Sequence, residues 1–161
     1  MQGHLQIIDS LNMLLAGELT AIDQYFAHAH MYRNWGFNKL ADHIEHETLE
    51  ERDHADRLAK RILFLEGQPD LSKRDPLNVG QSIPEILRND LAVELRVIDN
   101  LRKVMALCES LQDYETRNVL QKLLDDTEMD HTWWLEKQLR LIDSVGLQNY
   151  LQSQMGDAVA E

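Results

Sequence analysis

All three prolines of this 161-residue chain fall within one short stretch, at Pro69, Pro76 and Pro84. Because proline breaks helices, the chain on either side of this stretch is free to form long helices. Apolar residues recur there at steps of three and four, the period of an amphipathic helix. The pattern predicts four long helices and a short fifth one, over about residues 5–35, 39–65, 83–111, 114–145 and 147–155.

Turn residues mark the predicted ends of these helices. Gly36, Gly67 and Gly146 follow the first, second and fourth helices, where glycine commonly ends a helix. Ser82 precedes the third helix, with Pro84 and an acid in its first turn, which is a favourable N-terminal sequence.

The predicted lengths restrict the architecture. Helices of this size are ~40 to 48 Å long at ~1.5 Å per residue, which favours a bundle with parallel sides. The connection between the second and third helices, residues 67–82, has 16 residues. At ~3.3 Å per extended residue it can span ~50 Å, the whole length of the bundle. The sequence therefore predicts an all-α, single-domain protein over residues 1–161, a four-helix bundle with one long crossover.

The composition excludes several classes of function. The chain has 16 Lys plus Arg against 28 Asp plus Glu, a formal net charge of -12, so it lacks the basic face that nucleic acids require. Its apolar runs are short for a membrane span, and its start lacks the order of a signal peptide, so we expect a soluble, cytoplasmic protein. The single cysteine, Cys108, excludes cysteine-rich metal sites.

A carboxylate interrupts the apolar series near the midpoint of each long helix. The first and third helices carry a lone glutamate there. The second and fourth carry Glu-x-x-His, whose spacing puts both side chains on one helix face. The six residues are Glu18, Glu51, His54, Glu94, Glu128 and His131.

These six residues are predicted to form one layer inside the bundle. Unpaired buried carboxylates cost several kcal/mol each, and their mutual repulsion adds to that cost. No Lys or Arg lies on the stripes at this level, so two divalent metal ions are the predicted counter-charge, with one imidazole for each. Such a donor set suits Fe, Mn or, less specifically, Zn. A solvated polar layer is the alternative, and the mid-stripe position of both Glu-x-x-His pairs argues against it.

The sequence resembles bacterioferritin over essentially its whole length. The resemblance is carried by residues 11–37, 54–67, 82–95 and 131–154. It implies a ferritin-like bundle that assembles into a hollow shell of 24 subunits. It also implies oxidation of Fe2+ with O2 or H2O2 at a di-iron ferroxidase centre, with two Fe per subunit, and storage of the ferric mineral inside. By this resemblance Glu51 and Glu128 bridge the irons, and the other four residues of the layer are terminal ligands.

One position departs from the family. Bacterioferritins usually have a methionine two residues before the histidine of the second helix, where two copies ligate a haem; this chain has Arg52. A guanidinium cannot replace the thioether, so we predict that a homo-oligomer binds no haem b in this way. Some relatives combine a ferroxidase subunit with a second, haem-binding subunit, and this chain resembles the former. The family's small ferredoxin partner is in doubt for the same reason.

Three further groups are secondary candidates. Tyr25 follows Glu18 on the same stripe, where it is either a core residue or a redox or hydrogen-bonding group beside the metals. His46 and Glu50 share a helix face, which is either a solvated surface or an iron relay on the cavity wall. Glu47 lies on the second stripe and is expected to support the ligands.

The remaining predictions concern three histidines and an alternative function. His28, His30 and His43 are expected on the surface. The motif also permits a small di-iron oxidase or peroxidase of low oligomeric order, and this alternative to a storage shell stays open.

Overall fold

The structure, a computed structural model, describes residues 1–156, and within this range every regular element is helical. The elements are α1 (Leu5–Trp35), α2 (Asn38–Phe64), α3 (Ile83–Ser110), α4 (Tyr114–Asp126), a π-helical turn (Thr127–Thr132), α5 (Trp133–Val145) and α6 (Leu147–Gln154). The predicted fold class is confirmed: a four-helix bundle with one long crossover and a short C-terminal helix. Residues 157–161 of the predicted domain lie outside the described residues.

The helix ends follow the turn residues with two differences. Gly36 closes α1 in the left-handed conformation, at φ 86°. After α2 the left-handed residue is Glu66, at φ 62°, and not the following Gly67, whose N–H donates to the Ile62 carbonyl. At the start of α3 the Ser82 side chain makes no capping hydrogen bond; the carboxylate of Glu85 instead accepts from the Gln81 N–H.

The fourth predicted helix is one continuous rod with a wider turn in the middle. Residues Thr127–Thr132 form a π-helical turn between α4 and α5, and the backbone at Thr127 keeps ordinary right-handed angles. The Thr127 hydroxyl donates to the Leu123 carbonyl at 2.8 Å, a side-chain bond that adds to the helix's own hydrogen bonds at the start of this turn. Such turns are frequent at functional sites.

The crossover between α2 and α3 runs along α1. Side chains spaced four residues apart on α1 accept backbone N–H groups of the crossover: Thr20 from Asp75, Gln24 from Asn78 and His28 from Gly80, at 2.7, 3.0 and 3.1 Å. The order of these contacts shows that the crossover travels from the end of α2 to the far end of the bundle. Helix α3 therefore starts where α2 starts.

Helix α1 is the one described helix that is long and apolar enough to cross a membrane by length and composition. Its buried residues, such as Leu11, Leu15 and Tyr25, belong to the hydrophobic core that α1 shares with α2 and α3. The core helix of a soluble bundle passes the same test of length and composition, and the packing of α1 fits that description.

Candidate metal centre

Helices α1 and α3 each contribute one buried glutamate to the middle of the bundle. Glu18 and Glu94 are both 1% exposed, and they occupy positions where the stripes above and below carry leucine and isoleucine. Neither oxygen of Glu18 accepts a hydrogen bond of normal geometry from the described residues. A fully buried acceptor without a donor is rare and indicates a missing partner.

Helix α2 supplies a glutamate and a histidine from one face. Glu51 and His54 are each 1% exposed, and His54 Nδ1 lies 3.2 Å from Glu51 Oε2 and 4.0 Å from Glu18 Oε2. The three-residue spacing produces this contact, because residues i and i+3 are neighbours on a helix.

His131, in the π-helical turn, lies on the other side of Glu51. Its Nδ1 is 2.7 Å from Glu51 Oε1 and 3.7 Å from Glu94 Oε1. Its Nε2 is 2.8 Å from Glu47 Oε2 and 2.9 Å from Glu50 Oε2. The rings of His131 and His54 are 5.8 Å apart, with Glu51 between them.

The side chains form three groups whose donor atoms lie within 4.8 Å of one another, as a metal ion requires. Two of the groups share Glu51: one adds Glu18 and His54, the other Glu94 and His131. A carboxylate shared by two such groups is placed to bridge two ions. The third group combines Glu47 and Glu50 with His131. The oxygen-rich donor set with imidazoles fits iron or manganese.

The charges of the layer are mutually dependent. Burial, together with the carboxylates of Glu51 and Glu94, raises the pKa of Glu18 well above its ordinary value. Burial and Glu51 likewise raise the pKa of Glu94, to about 7. Burial alone would raise the pKa of Glu51, but the imidazoles of His131 and His54 lower it. The imidazoles of His54 and His131 therefore favour the ionised form of Glu51, whereas the nearby carboxylates disfavour the ionised forms of Glu18 and Glu94.

Five of the six predicted ligands meet in this layer, and Glu128 does not. Its carboxylate is 33% exposed and accepts a hydrogen bond from Arg102 at the surface of α3. The prediction assumed α-helical geometry, in which Glu128 and His131 share a face. The wider π-helical turn rotates Glu128 away from His131.

The secondary candidates fall at the edge of the layer. The hydroxyl of Tyr25, a buried residue, donates to Glu94, and burial raises the pKa of the phenol well above its ordinary value. His46 Nε2 is 3.4 Å from Glu50 Oε1, so Glu50 links His46 to His131. Glu47 reaches His131 directly.

Two expectations about histidines were wrong. His28 is fully buried, where its Nδ1 lies 2.8 Å from Asp90 Oδ1, because α1 has a second buried face toward α3 and the crossover. His43 is partly buried and stacks on Trp134 at 3.7 Å. His30 is exposed, as expected.

Sequence reasoning also missed Asp126, whose Oδ2 lies 3.4 Å from His54 Nε2. Asp126 lies outside the Glu-x-x-His motif, and the contact joins residues 72 positions apart. No local spacing signals such a contact.

A four-helix bundle with a long crossover around buried carboxylates and imidazoles defines a ferritin-like protein. The ferritin-like domain family matches residues 8–145. The chain is 55% identical to a bacterial ferritin of Synechocystis sp., over 96% of this chain and 99% of the relative. It is 52% identical to a bacterial ferritin of Pseudomonas aeruginosa, over 96% of this chain and 100% of the relative. It is 39% identical to a bacterioferritin of Mycobacterium avium, over 93% of this chain and 94% of the relative. The chain belongs to the bacterial ferritin and bacterioferritin family.

Proposed function

We propose that this protein stores iron and that it oxidises Fe2+ to Fe3+ at the buried acidic layer. The observation that carries the proposal is the sharing of Glu51 by two groups of donors, one with Glu18 and His54 and one with Glu94 and His131. Each group offers a place for one Fe2+ as substrate, so the chain binds two Fe. The names of its relatives, bacterial ferritin and bacterioferritin, support iron as the metal.

The residues of the layer favour the oxidised product. Carboxylates stabilise Fe3+ more than Fe2+ because Coulomb attraction grows with the charge of the ion, and the buried position of Glu18, Glu51 and Glu94 weakens screening by water. With O2 the balance is 2 Fe2+ + O2 + 2 H+ → 2 Fe3+ + H2O2. With H2O2 it is 2 Fe2+ + H2O2 + 2 H+ → 2 Fe3+ + 2 H2O.

Glu128 is the sixth ligand in this proposal and bridges the two sites together with Glu51. It must turn inward from its contact with Arg102, and it lies in the π-helical turn that also carries His131. The proposed route by which iron leaves the layer for the interior of the shell passes through Glu50 and His46, since Glu50 contacts both His131 and His46.

The proposed assembly is a cytoplasmic shell of 24 copies, which stores the ferric product inside. The near-complete coverage of the bacterial ferritins supports this part of the proposal. A small di-iron oxidase or peroxidase would instead be a low-order oligomer that holds about two irons per chain.

Aerobic loading with Fe2+ tests the function, and size-exclusion mass tests the assembly. The shell should elute near 24 times 18.7 kDa and retain far more iron than two per chain. Glu18→Ala and His131→Ala should lose the rapid phase of Fe2+ oxidation. Glu136→Gln changes a partly exposed acid on α5 that pairs with Arg140, and it serves as the control. Unchanged initial rates in both layer variants would show that the layer does not oxidise iron.

We also propose that a homo-oligomer of this chain binds no haem through the second helix. Arg52 is exposed on α2, so its guanidinium occupies the surface where the family's methionine would face a haem. A haem-binding second subunit, and a ferredoxin that delivers electrons through it, are the alternative. Reconstitution with haem should give no bis-thioether spectrum at one haem per pair of chains, and appearance of that spectrum would refute the proposal.

A further inference from the structure

The two imidazoles of the layer have the same orientation relative to Glu51. His54 and His131 each direct Nδ1 toward a Glu51 oxygen, at 3.2 and 2.7 Å. Each directs Nε2 away from the layer toward an outer carboxylate. For His131 this carboxylate belongs to Glu47 or Glu50, and for His54 it belongs to Asp126.

An imidazole that binds a metal through one nitrogen must carry its proton on the other. A carboxylate that accepts this proton's hydrogen bond fixes the tautomer and the ring orientation, and strengthens the imidazole as a ligand. The His54 ring is 1% exposed, and the carboxylate of Asp126 is the protein acceptor that lies nearest to its outer nitrogen. The distance of 3.4 Å is long for a hydrogen bond, and such contacts commonly tighten in the loaded site.

Asp126 is itself held in place. Its Oδ1 accepts from Lys122 Nζ at 2.8 Å, which leaves Oδ2 for His54. An open pocket of about 330 Å³ lies beside it, and its lining includes Glu50, Asp53 and His54.

We infer that Asp126 is a positioning residue, which holds the His54 imidazole with Nδ1 facing Glu18 and Glu51. The inference rests on the proposed function, since it concerns how one of the two sites in the layer is kept ready for a cation. It assigns Lys122 the role of orienting Asp126.

Co2+ binding tests this role in the assembled protein, because Co2+ reports its coordination by absorption and needs no oxidation. Asp126→Asn should weaken one of the two bound Co2+ ions by about 10- to 100-fold, the usual cost of losing such a partner. The second ion, on the His131 side, should bind as in the wild type. Asp125→Asn is the matched control: it removes the same charge from the neighbouring exposed residue, whose contact is with Gln121.

A double-mutant cycle separates positioning from a general effect of charge. In a His54→Ala background, Asp126→Asn should cause no further loss of Co2+ affinity. An equal loss in that background, or no loss in the single variant, would overturn the inference. Thermal unfolding of the metal-free proteins shows whether the variants fold.

The same titration distinguishes this inference from the proposed function. If the wild type binds no Co2+, or if Glu18→Ala binds it equally well, the layer is not the metal site and both proposals fail. If the wild type binds two ions per chain and Asp126→Asn matches it, only the role of Asp126 is refuted.

Discussion

Two clusters of fully buried polar side chains lie between α1 and its neighbours, and they differ in how their charges are satisfied. In the first, Asp90 Oδ1 accepts from Gln24 Nε2 and from His28 Nδ1, both at 2.8 Å. Because His28 Nε2 accepts the Gly80 N–H, the proton of the imidazole lies on Nδ1, and the ring faces Asp90 as a donor. Here the protein supplies two donors to Asp90 Oδ1, although Oδ2 has no hydrogen-bond partner within the described residues.

In the second cluster, the acidic layer, carboxylates face one another. Glu18 has no donor within the described residues, and its principal neighbours are the carboxylates of Glu51 and Glu94. The Asp90 cluster holds the crossover against α1, so it serves the fold. In the layer, the imidazoles of His54 and His131 face Glu51 and Glu18 is left without a donor, which supports the proposal that the layer binds an external cation. The comparison contrasts a buried carboxylate that receives two donors with one that receives none.

The largest expected effect comes from breaking the Asp90 cluster. Asp90→Ala should lower the free energy of unfolding by about 3–5 kcal/mol, because it strands the buried His28 and Gln24 donors. The loss should be the same with a chelator and with added Co2+. Thermal or denaturant unfolding measures it.

Asp99→Ala, an exposed acid on the same helix that pairs with Lys103, is the control and should change stability little. If Asp90→Ala prevents assembly altogether, Gln24→Ala tests the same cluster with a smaller loss. Near wild-type stability in both variants would mean that the cluster does not hold the crossover.

Removing a carboxylate from the acidic layer should have the opposite effect on the free energy of unfolding of the metal-free protein. Glu18→Gln removes one of the mutually repelling groups, so the metal-free protein should become more stable, by on the order of 1 kcal/mol. In contrast, Co2+ at one hundred times its dissociation constant should stabilise the wild type by about 2.7 kcal/mol and the variant by less. Unfolding with a chelator measures the gain in the metal-free protein, and unfolding with Co2+ measures the stabilisation by the metal, both at one protein concentration.

Glu136→Gln again serves as the control for the loss of one negative charge. A metal-free Glu18→Gln protein that is less stable than the wild type would show that Glu18 has a structural partner, and would remove the distinction between the two clusters.

The sequence predicted the bundle and most of the layer because both depend on local spacing. The helix bounds follow from proline, glycine and the apolar period, and Glu18, Glu51 and Glu94 stand out as charges on apolar stripes. The orientation of Glu128 was not predictable in this way, because a π-helical turn changes the period on which the prediction relied. The burial of His28 depends on a partner 62 residues away.

Replacing a third acid, Asp113, should lower the free energy of unfolding by a smaller amount, and this loss should depend on pH. It caps α4, where it accepts the Thr116 N–H at 3.0 Å and pairs with Arg61. Burial alone would raise the pKa of Asp113, but the Thr116 hydrogen bonds and Arg61 lower it below its ordinary value. Asp113→Ala should therefore cost about 1 kcal/mol at pH 7.

The sign of the pH effect follows from the lowered pKa. The ionised carboxylate stabilises the folded state above the ordinary pKa of ~4, and this contribution is lost as the pH falls through the lower, folded-state value. The difference between the wild type and Asp113→Ala should shrink on acidification. Glu115→Ala, an exposed acid in the first turn of α4, is the control, and a difference that grew at low pH would contradict the assignment.

The smallest expected effect concerns Glu128. Its carboxylate has a protein partner, Arg102, as Asp90 has, but it is also a proposed metal ligand, as Glu18 is. If Glu128 turns inward to complete the metal site, its pair with Arg102 competes with the cations. An exposed pair of this type contributes about 0.2–1 kcal/mol, so Arg102→Gln should raise Co2+ affinity by no more than about fivefold. Lys103→Gln, which breaks only the exposed pair with Asp99, should raise it less. The difference between the two variants should fade at high salt, which screens exposed pairs. Equal affinities for Arg102→Gln and Lys103→Gln at low salt would mean that Arg102 acts only through its charge, and that Glu128 turns inward without hindrance.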